Sequence, residues 1–281
     1  MAANTRRGKL GILAGGGDLP RRLIELCRTS GRDYFVVAFT GQADPDLVSG
    51  VPHEWIPLGS GGKTVAALKR ENVSEIVLAG RIKRPKISEL KPDAYGAKLI
   101  ARIGRRMLGD NSLLSAIAEQ LEKEGFTVKG ADELVAGLLA PEGVFGAVAP
   151  GQSELRDIAI GKQAARQLGA EDIGQGVIVR DAIVTERETV AGTDAMIERF
   201  AGRFAGQPGG VLVKMKKPDQ DTRIDLPTIG AATVENAARA GLAGIAVEAG
   251  ATLVLDMEAT VQKADQAGLF VIGVNASDQT G

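Results

Sequence analysis

Lys9-Leu10-Gly11-Ile12-Leu13-Ala14-Gly15-Gly16-Gly17-Asp18-Leu19-Pro20 decides the fold. Its first half is a short apolar run of the kind that forms a buried strand, and the glycines then turn the chain. Asp18 stands where an N-cap would start a helix. The pattern repeats downstream: residues 34–39, 54–58 and 75–79 read as strands, and 63–71 as a helix between the last two. Strands alternating with helices predict an α/β fold, with a Rossmann-like, mainly parallel sheet covered on both faces. Ligands of such sheets bind beyond the carboxyl ends of the strands. The loops at Gly15, at 59–62 and at Gly80-Arg81 then line one rim.

A helix over 110–124 and a short strand over 126–128 follow. The Pro/Gly-rich stretch 138–151 predicts a boundary, giving a first domain of 1–137 and a second of 138–281. The second reads as mixed α/β. It has a helix over 154–168, a hairpin of 177–179 with 183–185, a helix over 194–203 and a strand over 211–213. After Gly230 come a helix, strands near 244–247 and 252–255, a helix over 257–267 and a strand over 269–274.

With 281 residues, 44% hydrophobic and 25% charged, the chain has the composition of a soluble globular protein of about two domains. The net charge of -1 provides no overall attraction to nucleic acid or anionic lipid. Cys27, the single cysteine, excludes an intrachain disulfide and a cysteine-rich zinc site, and its place is the apolar face of the first helix. His53, the single histidine, stands in Val51-Pro52-His53-Glu54-Trp55 with no nucleophile or acid motif around it, and reads as structural. Catalysis therefore falls to carboxylates, lysines, arginines or a metal. The first residues are polar and no apolar run has membrane-spanning length, so a cytoplasmic protein is expected.

Lys214-Met215-Lys216-Lys217-Pro218-Asp219-Gln220-Asp221-Thr222-Arg223-Ile224-Asp225-Leu226-Pro227-Thr228-Ile229-Gly230 carries the densest chemistry. If extended, it places Asp219, Asp221, Arg223 and Asp225 on one face. Carboxylates beside lysines suit a divalent cation that holds phosphate oxygens. A solvated polar turn is the alternative, and spacing alone leaves both open. The stretch 81–106 is locally basic, with Arg81, Lys83, Arg84, Lys86, Lys91, Lys98, Arg102, Arg105 and Arg106 opposed by Glu89 and Asp93. It faces an anionic ligand, an anionic membrane surface or plain solvent.

Gly15-Gly16-Gly17 departs from the dinucleotide fingerprint, which needs glycine where Pro20 stands. A glycine turn at a helix start can still hold a phosphate on its N–H groups. Gly61-Gly62-Lys63-Thr64 departs from a P-loop, which needs glycine where Pro57 stands, and leaves an anion site or an ordinary cap. Gly192-Thr193-Asp194 reads as a helix cap.

Five segments together resemble the UDP-2,3-diacylglucosamine diphosphatases of lipid A biosynthesis, of the LpxI type. They are 11–20, Gly109-Asp110-Asn111, Asp172-Ile173-Gly174-Gln175-Gly176, Gly192-Thr193-Asp194 and 217–227. The family often has Glu-Gly-Thr-Asp where this chain has Ala191-Gly192-Thr193-Asp194. The resemblance implies hydrolysis of UDP-2,3-diacylglucosamine to UMP and 2,3-diacylglucosamine 1-phosphate with Mg²⁺. It also implies a substrate held between the two domains, a homodimer, and transient contact with the cytoplasmic face of the inner membrane. On this reading Asp225 and then Asp221 hold the metal or the attacking water. The expected substrate-binding set is Gly15, Gly16, Gly17, Asp18, Leu19, Lys63, Thr64, Arg81, Asp110, Thr193, Asp194, Lys214, Lys216, Arg223 and Thr228. An NAD(P)-dependent nucleotide-sugar oxidoreductase and a non-enzymatic nucleotide-sugar or lipid-binding protein are the competing readings. Bound-cofactor absorbance would mark the first, and binding without turnover the second.

Overall fold

The computed structural model describes residues 8–82, 92–103, 110–135, 137–218, 221–224 and 226–276. They form two compact units. The first runs through Val135 and includes Arg223 and Ile224 from the charged segment; the second takes the rest of the chain.

In the first unit the apolar runs become β1 (Leu10–Ala14), β2 (Tyr34–Thr40), β3 (His53–Pro57), β4 (Glu75–Ala79) and β5 (Thr127–Val128). Their order is β3-β2-β1-β4-β5 and every pairing is parallel, as the strand-helix alternation predicts. β1 is buried along its whole length, which is why it is continuously apolar rather than alternating. The helices are α1 (Asp18–Ser30), α2 (Gly61–Arg70), α3 (Ala94–Ile103), α4 (Asp110–Lys123) and the short α5 (Ala131–Leu134). α1 buries Leu23, Ile24 and Cys27, and burial pushes the Cys27 thiol up, away from the reactive thiolate. Val37, Ile56, Leu68, Ile76 and Phe126 belong to the core of this unit.

Two details differ from the sequence reading. Asp18 lies inside the first turn of α1, and Gly17 is the N-cap, with φ 93. That left-handed backbone favours glycine, so the helix begins one residue earlier than a capping aspartate would place it. α3 was hidden by the charges of the basic stretch. Lys98 and Arg102 occupy its exposed side, while Gly96 is buried. A Cβ on Gly96 would collide with the carbonyl of Gly59, so glycine lets α3 lie close to the start of α2.

The second unit contains β6 (Gly143–Val144), α6 (Gln152–Ala170), β7 (Gly176–Arg180), β8 (Ile183–Arg187), α7 (Gly192–Arg203), β9 (Val211–Lys214), β10 (Thr228–Gly230), α8 (Ala231–Arg239), β11 (Gly244–Glu248), β12 (Leu253–Leu255), α9 (Met257–Ala267) and β13 (Phe270–Val274). Its main sheet has the order β6-β13-β11-β9-β7-β8. β13, β11 and β9 are parallel, while β6 and β7 run antiparallel to their neighbours, so this sheet is mixed. The β7–β8 hairpin turns at Asp181 (φ 53) and Ala182 (φ 62), the positive-φ pair that matches strand twist. Along β7, Val177 and Val179 enter the cluster beneath α6, and Ile178 enters the opposite one with Phe200 and Leu212. Helices therefore cover both faces. Gly161 of α6 sits directly on Val213, where a Cβ would collide, so α6 can lie tight against the sheet.

Candidate active site

The carboxyl rim of the first sheet is built around the glycine turn. The Gly15 N–H donates to the Ala79 carbonyl at 2.8 Å and the Gly16 N–H to the Arg81 carbonyl at 2.9 Å. The Arg81 N–H donates back to the Gly16 carbonyl at 2.8 Å. A Cβ on Gly15 would stand 2.5 Å from the Arg81 carbonyl oxygen, and one on Gly80 (φ 90) 2.6 Å from the Gly16 carbonyl oxygen. These glycines allow two loops to cross in contact, and the N–H groups of Gly15 and Gly16 are engaged within the protein. An anion at this turn would therefore be left to the helix start at Gly17, Asp18 and Leu19, with Arg81 beside them: its Nε is 3.8 Å from where a Gly17 Cβ would lie.

At the start of α2 the anion belongs to the protein. Asp93 accepts from the Lys63 N–H at 3.0 Å and from the Gly96 N–H at 2.7 Å. Thr64 is buried and its Oγ1 donates to the Ser60 carbonyl at 3.2 Å. Desolvation pushes the Asp93 carboxyl up, but the N–H groups of Gly96, Lys63 and Gly62 and the Lys63 charge outweigh it and hold it below the usual range. A folded-state pKa below the unfolded one adds stability above the unfolded value, and that stability is lost as pH falls through the folded one. Asp93→Ala is therefore expected to lower stability by about 1 kcal/mol at neutral pH, the usual value of a helix cap. The difference between the melting temperatures of the two proteins should shrink as pH falls below the ordinary carboxylate range; an unchanged difference there would refute the ionised cap.

The second unit gathers several expected residues at the carboxyl ends of its parallel strands. Lys214, the last residue of β9, is 4% exposed and its Nζ donates to the Thr228 carbonyl at 3.2 Å. The Thr228 hydroxyl donates to the Leu226 carbonyl at 3.0 Å. Gly176 pairs with Lys214 across the sheet, and a Cβ there would stand 3.4 Å from Glu188 Oε2 and 3.6 Å from Lys214 Cγ. Glu188 accepts from the Thr193 hydroxyl at 2.6 Å. Asp194, next on α7, accepts from Asn236 of α8 at 3.0 Å. Lys214, Thr193 and Thr228 thus share one rim. Glu188, Asn236 and Glu248 escaped the sequence reading. For Glu188 a signal existed: Gly174 and Gly176 alternate around Gln175, as glycines do where a neighbouring group must come close.

The charged segment begins on the second unit. The Met215 N–H donates to the Gln175 carbonyl at 3.0 Å, and the Lys216 N–H to the buried Glu248 carboxylate at 2.9 Å. Lys217 pairs with Asp172 at 2.6 Å. Residues 222–224 then form a turn, so the extended run that would align Asp221 and Arg223 on one face is not present. Ile224 is buried in the core of the first unit, and Arg223 pairs with Glu122 at 2.8 Å. An isoleucine that must reach an apolar core forces the turn. Asp219 and Asp225 lie outside the described residues, as do Lys83, Arg84, Lys86, Lys91, Arg105, Arg106 and the Asp110 side chain.

Among the described residues no three His, Cys, Asp or Glu side chains converge as a metal site. None of their helices is long and apolar enough to cross a membrane. His53 opens β3, is exposed, and places Nδ1 2.8 Å from the Val51 carbonyl oxygen.

Residues 9–138 match the model of the LpxI N-terminal domain and 141–272 that of the LpxI C-terminal domain. A curated protein of Caulobacter vibrioides, UDP-2,3-diacylglucosamine pyrophosphatase LpxI, is 43% identical over 279 residues, covering 96% of this chain and 99% of its own length. Among solved structures, carboxyaminoimidazole ribonucleotide synthase from Aspergillus clavatus complexed with ATP aligns with 13% identity and a TM-score of 0.24. That alignment covers 64% of this chain and 39% of the synthase.

Proposed function

The chain belongs to the LpxI family, and from that premise we propose that it hydrolyses the pyrophosphate bond of UDP-2,3-diacylglucosamine in lipid A biosynthesis, releasing UMP and 2,3-diacylglucosamine 1-phosphate. The observation that carries this is the 43% identity, over nearly the whole of both chains, with a pyrophosphatase of that name. The rim around Lys214 supports it chemically. A pyrophosphate needs its charge neutralised, an in-line water and a stabilised phosphate leaving group. Lys214 and Lys216 answer the first need. Asp225 and Asp221 orient the water or carry the metal.

Mg²⁺ belongs to this proposal. Asp221 and Asp225 are oxygen donors, and a magnesium ion that bridges phosphates takes only one or two carboxylates from the protein. When bound, the ion would neutralise phosphate oxygens. Incubating the purified protein with UDP-2,3-diacylglucosamine, with Mg²⁺ or with EDTA, tests both parts. UMP and the sugar phosphate as products, formed only with Mg²⁺, are the expected result. No product under either condition would overturn the function, and equal rates would remove the metal.

A cytoplasmic homodimer that touches the membrane surface completes the proposal. Lys98 and Arg102 are exposed on α3, in the basic stretch. Each Lys or Arg near an anionic leaflet contributes about 1 kcal/mol, enough for weak and reversible attachment by several together. Reversing the charges of Lys83, Lys86 and Lys91 is expected to weaken sedimentation with phosphatidylglycerol vesicles, most clearly at low salt. Turnover of detergent-dispersed substrate should change little. Loss of turnover in detergent would place these lysines in the active site instead.

A further inference from the structure

Glu188 is a buried charged side chain that the reaction above leaves unused. It is 7% exposed and follows β8 directly. Its Oε2 accepts from the Gln175 N–H at 2.8 Å and its Oε1 from the Thr193 hydroxyl at 2.6 Å. Glycines make the room: a Cβ on Gly174 would stand 2.9 Å from Glu188 Cβ, and one on Gly176 3.4 Å from Oε2. The carboxylate therefore ties the loop before β7 to the first turn of α7.

The direction of these hydrogen bonds has a chemical consequence. A carboxylate only accepts, so Thr193 must give its proton to Glu188. The hydroxyl then offers only lone pairs to anything else. Gln175, held by the same carboxylate, has a buried Oε1 with no hydrogen-bond partner among the described residues. A buried acceptor without a donor is uncommon and costly. Both groups ask for a donor, and a phosphate has none to give once ionised.

We propose that Glu188 is a positioning residue that fixes Thr193 as a hydrogen-bond acceptor, so that Thr193 and Gln175 hold a hydroxyl or N–H group of the substrate rather than a phosphate. The inference rests on the proposed pyrophosphatase reaction. The donor comes from the uridine half or from the acylated sugar, and product inhibition separates the two.

Glu188→Gln tests the polarity at nearly constant shape. The Gln175 N–H, a fixed donor, takes the new Oε1. The new amide then donates to Thr193, whose proton turns towards the substrate. With the full-length protein and UDP-2,3-diacylglucosamine, Glu188→Gln is expected to raise KM about tenfold, or about 1.4 kcal/mol, with a melting temperature close to wild type. Thr193→Val should raise KM similarly, Thr193→Ser should restore it, and the double variant Glu188→Gln/Thr193→Val should be no worse than Thr193→Val. A tenfold weaker inhibition of Glu188→Gln by UMP assigns the donor to uridine; the same change for 2,3-diacylglucosamine 1-phosphate assigns it to the sugar. A wild-type KM in either single variant, or multiplying losses in the double one, would overturn the inference while the wild-type activity stands. Should Glu188→Gln not fold, the contrast between Thr193→Val and Thr193→Ser decides alone. No turnover by the wild type strikes the proposed function itself, and the inference with it.

Discussion

Asp225→Ala is expected to lower turnover of UDP-2,3-diacylglucosamine by about 10²–10⁴-fold, the range for loss of one acid–base group. The position follows Ile224, whose side chain is fixed in an apolar core, and precedes Leu226-Pro227. Proline restricts Leu226, the residue before it, to extended conformations. No histidine can replace Asp225, since His53, the single one, opens a strand of the first sheet. Asp225→Asn keeps the volume and removes the charge, and should lose nearly as much. Substrate affinity and melting temperature should stay close to wild type in both variants, because the acid acts on the reacting phosphate or water. Single-turnover rates with equilibrium binding of the same substrate make the comparison. Two variants that turn over at wild-type rates would remove Asp225 from the mechanism.

The sheets were legible because strand burial writes itself into sequence. The runs 10–14, 34–40 and 75–79 are apolar at nearly every position, as buried parallel strands must be. The hairpin of β7 and β8 was legible from its two apolar runs and the turn between them. α3 was not: the two helical cations, together with the many lysines and arginines before it, outweighed Tyr95, Leu99 and Ile103 in any reading by charge. The α2 start was left open between a cap and an anion site, and the carboxylate it meets, Asp93, lies 30 residues on. No local pattern announces a partner at that separation. Glu188 was missed although Gly174 and Gly176 signal a close neighbour, because a glycine pair does not say which residue fills the space it leaves. The charged segment was overread as a possible strand because the charges drew attention away from Ile224. In a polar run the single buried apolar residue fixes the path, and the charges follow it.

Ile224 is accordingly the site of the second large effect. It is 7% exposed and belongs to the cluster that contains Ile76, Phe126 and Val128. Its neighbour Arg223 pairs with Glu122, but both side chains are about two-fifths exposed, at 41% and 38%. Exposed pairs contribute at most about 1 kcal/mol. Truncating a buried isoleucine to alanine costs about 2–5 kcal/mol where the surroundings cannot relax. Here the turn can lift away instead of enclosing a cavity, so the lower end of that range applies. Ile224 is therefore the stronger anchor. Ile224→Asp should release residues 222–224 from the first unit while leaving its sheet intact. Asp221 and Asp225, the proposed catalytic acids, flank this turn in sequence, and a misplacement of about 1 Å can cost 10²-fold in rate. The expected outcome is a loss of about 10²-fold in turnover, new protease cleavage within 214–230, and cooperative unfolding of the remainder. Ile224→Val, which keeps most of the volume, should recover most of the rate, and Arg223→Ala should leave cleavage unchanged. If Ile224→Asp resists the protease as the wild type does and still turns over at the normal rate, the burial of this side chain neither anchors the turn nor bears on catalysis.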